Sequence, residues 1–364
     1  MTPTRRMFAA GIALVVVLSF TGSLLAAHPA AARVRSVRAV GSLRFPTDFA
    51  FAPNNRVFAI EKNSGRILVI NRAGGGRHTF FKVRGVNSSG ERGMLSIALH
   101  PDYPATPLVY VYVTRRGGGG VQNQIIRLRN VDGKGRDLTK IWARRSPSSI
   151  HNGGPIAFGP DGMLYAVVGD GGSPARSQQL GDERGKVLRM TPTGAIPGDN
   201  PLGNRRVFAF GIRNSFGLAF DPYGGDLWET ENGPECNDEL NRIAPGRNYG
   251  WGPNESCSGN APRNTNRDGP NPVLPERWYN PTIAPTGIAF CDGCDLGVAA
   301  RRAAFFGAIN TGQLRRVSLT ADRRNVKGQR VVFRHDGGIL SVEPHPNGAL
   351  YFSDTKAIFK LVRR

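Results

Sequence analysis

Three stretches of this chain carry side chains whose types and spacing could do chemistry. In HNGG, His151 stands directly before Asn152, Gly153 and Gly154. Imidazole titrates near neutrality, so a histidine there can exchange a proton or simply cap a turn. In GIRNSFG, Arg213 and Asn214 pair a guanidinium, which can stabilise developing negative charge, with an amide that donates and accepts. In CDGC, Cys291 and Cys294 have the spacing of a redox pair or of a bridged turn. The flanking residues offer no helix to lower a thiol pKa, which favours the turn. The other two cysteines, Cys236 and Cys257, are too far away to complete the paired spacing of a structural zinc site. Pairing nearest neighbours gives Cys236 with Cys257 and Cys291 with Cys294, one of three possible connectivities.

The elements that must position these groups repeat along the chain. DFAFAPNNRVFAI begins at Asp48, SIALHPDYPATPLVYVYV at Ser96, PIAFGPDGMLYAVV at Pro155 and GLAFDPYGGDLWET at Gly217. GIAFCDG follows at Gly287, reaching AAFFGAI after an excursion, and SVEPHPNGALYFSD begins at Ser341. Each copy is a short apolar strand and a Pro/Asp/Asn/Gly turn, then a second strand. Pro fixes φ, Asp and Asn cap the turn, and Gly tolerates positive φ. Third strands follow several copies, as in GRILVI, QIIRLR, GKVLRM and GQLRRVSL, and AIFKLVRR ends the chain. Intervals of roughly 50 to 70 residues are too long for a solenoid and suit propeller blades with decorated loops. The expected fold is all-β, a six-bladed β-propeller; an open β-sandwich is the alternative. His151 precedes the third copy and Arg213 the fourth, which places both on channel-facing loops at one end of the ring.

Composition agrees. The 364 residues are 40% apolar and 21% charged, with 47 Gly and 26 Pro, which excludes a disordered chain and a coiled coil. There are 48 basic side chains, only eight of them Lys, against 27 acidic ones, giving a net charge of +21. No basic block interleaved with aromatics occurs, so nucleic acid is not the expected partner; the excess charge reads as adding solubility or drawing the protein to an anionic cell envelope, whose polyanions are a candidate partner. At the amino terminus, Arg5 and Arg6 precede an apolar run from Phe8 to Ala27 and the small residues Ala30, Ala31 and Ala32. This order reads as a signal peptide over residues 1–32, with a twin-arginine look, and an uncleaved anchor as the competing reading. Residues 33–364 would then form one domain in a secreted, periplasmic or cell-envelope protein, where disulfides persist.

Taken together, GERGMLSIALHPDY, HNGGPIAFGPDGMLYAVVGDGG, GKVLRMTPTGAIPGDNP, FGIRNSFGLAFDP, ENGPECNDELNRIAPGRNYGWG and PTIAPTGIAF resemble the soluble glucose/sorbosone dehydrogenases. The resemblance runs from about Phe45 to Lys360. It implies a six-bladed propeller that uses pyrroloquinoline quinone (PQQ) and Ca²⁺ to oxidise a small sugar or alcohol, with an external electron acceptor. His151 matches the family's catalytic base. Arg213 and Asn214 match positions beside the quinone, with Arg213 stabilising the reduced form. The main-chain carbonyls of Gly233 and Pro234 match those that hold the quinone-bound calcium. Glu239 and Tyr249 match two ligands of a second, structural calcium, while Glu255, Cys257 and Gly259 occupy the places of its other ligands.

The chain also departs from the family. A quinone-binding glutamine is replaced by Glu91, in GERG, and a lysine falls near Asn310. Two arginines that hold the quinone's carboxylates align with Gly338 and Leu340, and Arg334 is the neighbouring cation that could stand in for them. These losses support a second expectation, a non-catalytic propeller that binds a saccharide or a polyanion. A calcium lactonase ranks lowest, for want of an acidic metal cluster.

Overall fold

A computed structural model describes residues 34–71 and 76–364. The expected signal peptide lies outside the described residues. Each repeated phrase folds as an antiparallel hairpin, because its turn is encoded locally and both flanking runs are apolar. The six hairpins pair Pro46–Phe51 with Arg56–Glu61, Met94–Leu99 with Leu108–Gly117 and Ile156–Phe158 with Leu164–Val168. They continue with Ser215–Phe220 and Leu227–Glu231, Pro285–Phe290 and Ala304–Ala308, and Ser341–Pro344 and Leu350–Ser353. Two further strands complete each unit, giving six four-stranded antiparallel sheets, the blades of a propeller.

One strand comes from a stretch read otherwise in the sequence, and another from a stretch to which no element was assigned. Asp238–Ile243, inside the segment read for its calcium ligands, is the third strand of blade four. Val34–Val40 is the outer strand of blade six, paired with the chain's last strand, Ile358–Arg363, from Val34 opposite Arg363. The ring therefore closes by joining the two ends of the described chain in one sheet. Neighbouring inner strands touch in order and the sixth touches the first, so no sheet is left with an open inner edge.

The inner strands show what the ring demands of sequence. Phe49, Ile97, Ile156, Leu218, Ile288 and Val342 hold one repeat position and are all buried. The next position is Ala50, Ala98, Ala157, Ala219 and Ala289 in five blades, lining an axial cavity of about 540 Å³ where strands crowd the axis. In blade six that position is Glu343. Burial, and the adjacent Asp48, push the Glu343 carboxyl well above its usual range. Asp48 itself joins three blades, accepting from Ser96 Oγ at 2.7 Å, the Ile97 N–H at 2.9 Å and Ser341 Oγ at 2.8 Å.

Between blades four and five, Arg323 clamps Asp221 with Nε and Nη2, the latter at 2.8 Å from Oδ1, and both groups are buried. Arg323→Met removes one partner and leaves an uncompensated buried carboxylate. The expected cost is about 3–5 kcal/mol, read as a lowered midpoint of chemical unfolding with unchanged slope.

Both expected cysteine pairs lie at bonding distance, Cys236 with Cys257 and Cys291 with Cys294. Among the described residues the only helices are two 3₁₀ turns, Pro174–Gln178 and Val298–Ala300. No helix among them is long and apolar enough to cross a membrane.

Candidate functional site

The loops that enter blades two, three and four converge at one end of the channel. His151 has φ of +55°, a left-handed conformation that a side chain adopts only when its surroundings impose it. The glycines after it explain how. A Cβ on Gly153 would lie 2.4 Å from the Val167 carbonyl oxygen, and one on Gly154 would lie 2.7 Å from Leu95 Cβ. Only bare backbone lets the HNGG turn settle between the second strand of its own blade and blade two.

The imidazole is held from one side. His151 Nδ1 lies 2.7 Å from Asp170 Oδ1, and the Asp170 carboxylate is fully buried. That carboxylate also accepts the Gly172 N–H at 2.7 Å and Trp251 Nε1–H at 2.9 Å. An ionised carboxylate only accepts, so Nδ1 of His151 is the donor in this contact and Nε2 is the ring nitrogen left for other partners. Asp170 follows the second strand of blade three, and its N–H donates to the Arg213 carbonyl at 2.8 Å.

Arg213 extends the same network. Its Nη1 donates to the Asn232 carbonyl at 2.8 Å, and its guanidinium lies 5.3 Å from the centre of the Trp251 ring. Its Nε is buried without a partner. Burial pulls the guanidinium pKa down while Asp170, Glu231, Glu91 and Asp238 pull it back up. Asn214 is buried and ties blades together: Oδ1 accepts the Gly153 N–H at 3.0 Å and Nδ2 donates to Glu91 at 3.0 Å. The same Glu91 oxygen accepts the His151 main-chain N–H at 2.6 Å. Both neighbours are donors, so this one oxygen is fully used as an acceptor.

Gly233 and Pro234 lie in the turn that follows Asn232, and so beside Arg213. The turn is tight: a Cβ on Gly233 would sit 2.1 Å from the Cys236 carbonyl oxygen. Asp238 holds it by accepting the Gly233 N–H at 2.9 Å, and the Cys236–Cys257 bridge anchors its far side. The structure thus brings His151, Arg213, Asn214, Glu91 and the Gly233–Pro234 turn into one continuous network.

Glu239 and Tyr249 lie behind it. Glu239 pairs across the sheet with Glu231, and Asn241 Nδ2 donates to Glu229, Glu231 and Glu239 at 3.2, 3.3 and 3.0 Å. Burial pushes Glu229 up to about 8 and Glu239 up to about 7, and burial with the Glu229 charge raises Glu231 well above its usual range. Tyr249 donates its hydroxyl to the Arg242 carbonyl, and its own carbonyl accepts from Asn266 Nδ2. No group of three or more His, Cys, Asp or Glu side chains among the described residues is spaced to hold a metal ion. The oxygens that fit a hard cation here are main-chain and amide oxygens together with carboxylates, and Glu229 Oε1, Asn237 Oδ1 and Asn241 Oδ1 are buried without partners.

Next to Glu91 lies a cavity of about 240 Å³, lined in part by Phe45, Lys62, Phe216, Ile309 and Leu340. The positions where the resemblance places cations bring none to it. Leu340 presents an apolar side chain, a Cβ on Gly338 would meet the Ile309 carbonyl at 2.6 Å, and Asn310 is exposed. Arg334 is exposed on the outer strand of blade five and does not line the cavity. The cation present is Lys62, from blade one, whose Nζ donates to the Ser88 and Gly90 carbonyls at 3.1 and 2.8 Å. Burial lowers its pKa and Glu91 opposes that shift.

Asp170, Trp251 and Lys62 escaped the reading of the sequence. Asp170 had a signal, a carboxylate at the end of the hairpin that His151 opens. Trp251 and Lys62 had none beyond their place in quoted or neighbouring phrases, because their contacts span whole blades.

Comparison with known proteins identifies the family and agrees with the fold. The family profile described as Glucose / Sorbosone dehydrogenase matches residues 43–363. Quinoprotein glucose dehydrogenase B of Acinetobacter calcoaceticus is 32% identical over 244 residues, 58% of this chain and 51% of that protein. The chain thus spans about half the length of that relative. Aldose sugar dehydrogenase YliI of Escherichia coli is 27% identical over 352 residues, 93% and 94% of the two chains. The PQQ-bound aldose sugar dehydrogenase of Streptomyces coelicolor superposes with a TM-score of 0.78 at 28% identity, covering 92% of this chain and 98% of that one.

Proposed function

The chain belongs to the glucose/sorbosone dehydrogenase family, and from that premise we propose that it is an exported dehydrogenase of a small sugar or alcohol that uses PQQ and calcium. The observation that carries this reading is the convergence of His151, Arg213 and the Gly233–Pro234 turn, linked through Asp170 and Asn232. The two cysteine pairs support an oxidising compartment.

When bound, PQQ supplies a two-electron acceptor and calcium a Lewis acid beside it. Lys62 would be the counter-charge for its carboxylates, and Arg213 would stabilise its reduced form. The Gly233 and Pro234 carbonyls suit the calcium. His151 Nε2 takes the proton of the substrate hydroxyl, and Asp170 stabilises the imidazolium that results. Arg213, buried against Trp251, stabilises negative charge that develops beside it, and the low local dielectric strengthens that effect. Glu91 and Asn214 fix the His151 turn rather than move protons. Glu239 and Tyr249, joined through Asn266, fit a structural calcium.

Turnover is tested by loading the full chain with PQQ and calcium and assaying a sugar panel with an artificial electron acceptor. Sugar-dependent reduction of the acceptor is expected; none on any sugar or alcohol would overturn the reading. A chelator should lower the unfolding temperature and added calcium should restore it, since a ligand bound only by the folded state stabilises it.

The second reading, a propeller that binds saccharide or a polyanion without oxidising it, draws on Asn310, Gly338 and Leu340, none of them a cation, where the resemblance places cations. It calls for calcium-dependent stabilisation with no effect of quinone.

A further inference from the structure

One recess outside this network has a chemistry of its own. It has a volume of about 490 Å³ and is lined by Arg144, Arg145, Arg176 and Arg184, with Gln122 and Pro147. Three of these guanidinium groups, those of Arg144, Arg176 and Arg184, share a single carboxylate, Asp182. Arg184 takes both of its oxygens, at 3.0 and 2.6 Å, and Arg184 holds Asp182 far below the usual carboxylate range even though burial opposes ionisation. Arg144 and Arg176 reach the same carboxylate only at 3.6 and 3.3 Å, and both are partly exposed. Arg145 makes no ion pair among the described residues. The other nearby acid, Glu183, is engaged with Trp142 Nε1 at 3.0 Å and with Arg206. The recess therefore keeps a strong positive excess with donors left over. Behind it the Lys186 ammonium is buried, donating to the Arg176, Ser177 and Arg184 carbonyls.

The recess adjoins the histidine. Gly171, the residue after Asp170, donates its N–H to the His151 carbonyl at 3.0 Å. Its Cβ position lies 3.4 Å from Pro147 Cγ and 3.5 Å from Arg184 Cδ, both on the wall of the recess. One glycine thus separates the turn that carries His151 from the arginine recess. Guanidinium groups present paired donors that match the oxygens of carboxylate and phosphate, and contacts between full charges outweigh neutral ones.

We propose that this recess binds the anionic group of an acidic saccharide, a carboxylate or a phosphate, while a neutral part of the same molecule reaches His151. The proposal rests on the dehydrogenase reading for the second half of that statement and is independent of it for the first. It turns the overall positive charge into a local specificity: the enzyme would select charged sugars over neutral ones of the same size.

The test is calorimetric titration of the full chain without added quinone. The probes are digalacturonate, glucose 6-phosphate, and neutral sugars of matching size, at low and high salt. One of the two anionic probes should bind about tenfold or more tightly than its neutral counterpart at low salt, the yield of one charge-assisted contact. Whichever arm shows the gain identifies the source of the anion, and salt should erode it. Arg145→Gln with Arg176→Gln should abolish the gain, and Lys at both positions should keep part of it. PQQ affinity should be the same in both variants and the parent. Equal binding of charged and neutral sugars would overturn the proposal. So would an unchanged preference in the Gln variant, or loss of PQQ binding in that variant, which would make the recess a cofactor anchor. Preferential binding of an anionic sugar by a protein that never turns over with PQQ would sustain the recess and sink the dehydrogenase reading.

Discussion

His151→Gln is expected to lower kcat by about 10²–10⁴, the usual contribution of a positioned general base. The reason is geometric. Nδ1 is committed to the buried carboxylate of Asp170 at 2.7 Å, so Nε2 is the basic atom that the imidazole can offer to a substrate hydroxyl. Glutamine keeps a polar side chain of similar reach but has no basic nitrogen. It can also keep the main-chain N–H that Glu91 accepts, so the loop should survive the change. KM and PQQ affinity should move little, because the interaction lost is one that strengthens only as the proton leaves the substrate. Steady-state rates with saturating acceptor read the effect. A drop smaller than fivefold would assign proton removal to another group.

Asp170→Asn should cost nearly as much, again about 10²–10⁴ in kcat, by a different route. Asp170 accepts from His151, Gly172 and Trp251 at once, and an amide has only one oxygen to share among them. His151 and the Gly172 N–H share one carboxylate oxygen, so the amide oxygen is best placed toward them and its NH₂ then opposes the Trp251 Nε1–H. The imidazole keeps its tautomer but loses the negative charge that stabilises the imidazolium. Asp170 is a positioning residue, so rate alone does not establish its role. Proton NMR should show the Nδ1–H resonance moving upfield in the variant, because its acceptor is no longer charged. A lowered rate with an unmoved resonance would contradict this account and point to a purely structural loss.

The hairpins were legible in the sequence because their turns are local. A Pro, Asp, Asn or Gly between two apolar runs fixes the chain reversal without help from the rest of the ring, and six copies in order make the blade count. Outer strands were less legible. Val34–Val40 is buried only at its two ends and finds its partner at the opposite end of the chain, a pairing that only ring closure dictates. Asp238–Ile243 was masked by its own chemistry: carboxylates and amides that read as ligands also fill a buried strand.

The site divides the same way. His151, Arg213 and the Gly233–Pro234 turn stand in phrases whose glycines and position before or after an inner hairpin single them out. The groups that orient them do not. Trp251 meets Asp170 across 81 residues, and Asn214 meets Glu91 across 123. Such contacts follow from blade packing, for which no local pattern exists. The absent cations show the reverse case. The sequence correctly placed apolar or small residues where cations were expected, yet it could not reveal that Lys62, from blade one, supplies a charge to the same cavity.

The most direct measurement is calorimetric titration of PQQ into the calcium-loaded full chain and its Arg213→Met variant. Saturable one-to-one binding is predicted for the parent, with affinity roughly ten- to a hundredfold weaker once the guanidinium is gone. No saturable heat with the parent, or equal affinity in the variant, would contradict a quinone site built around Arg213 and His151.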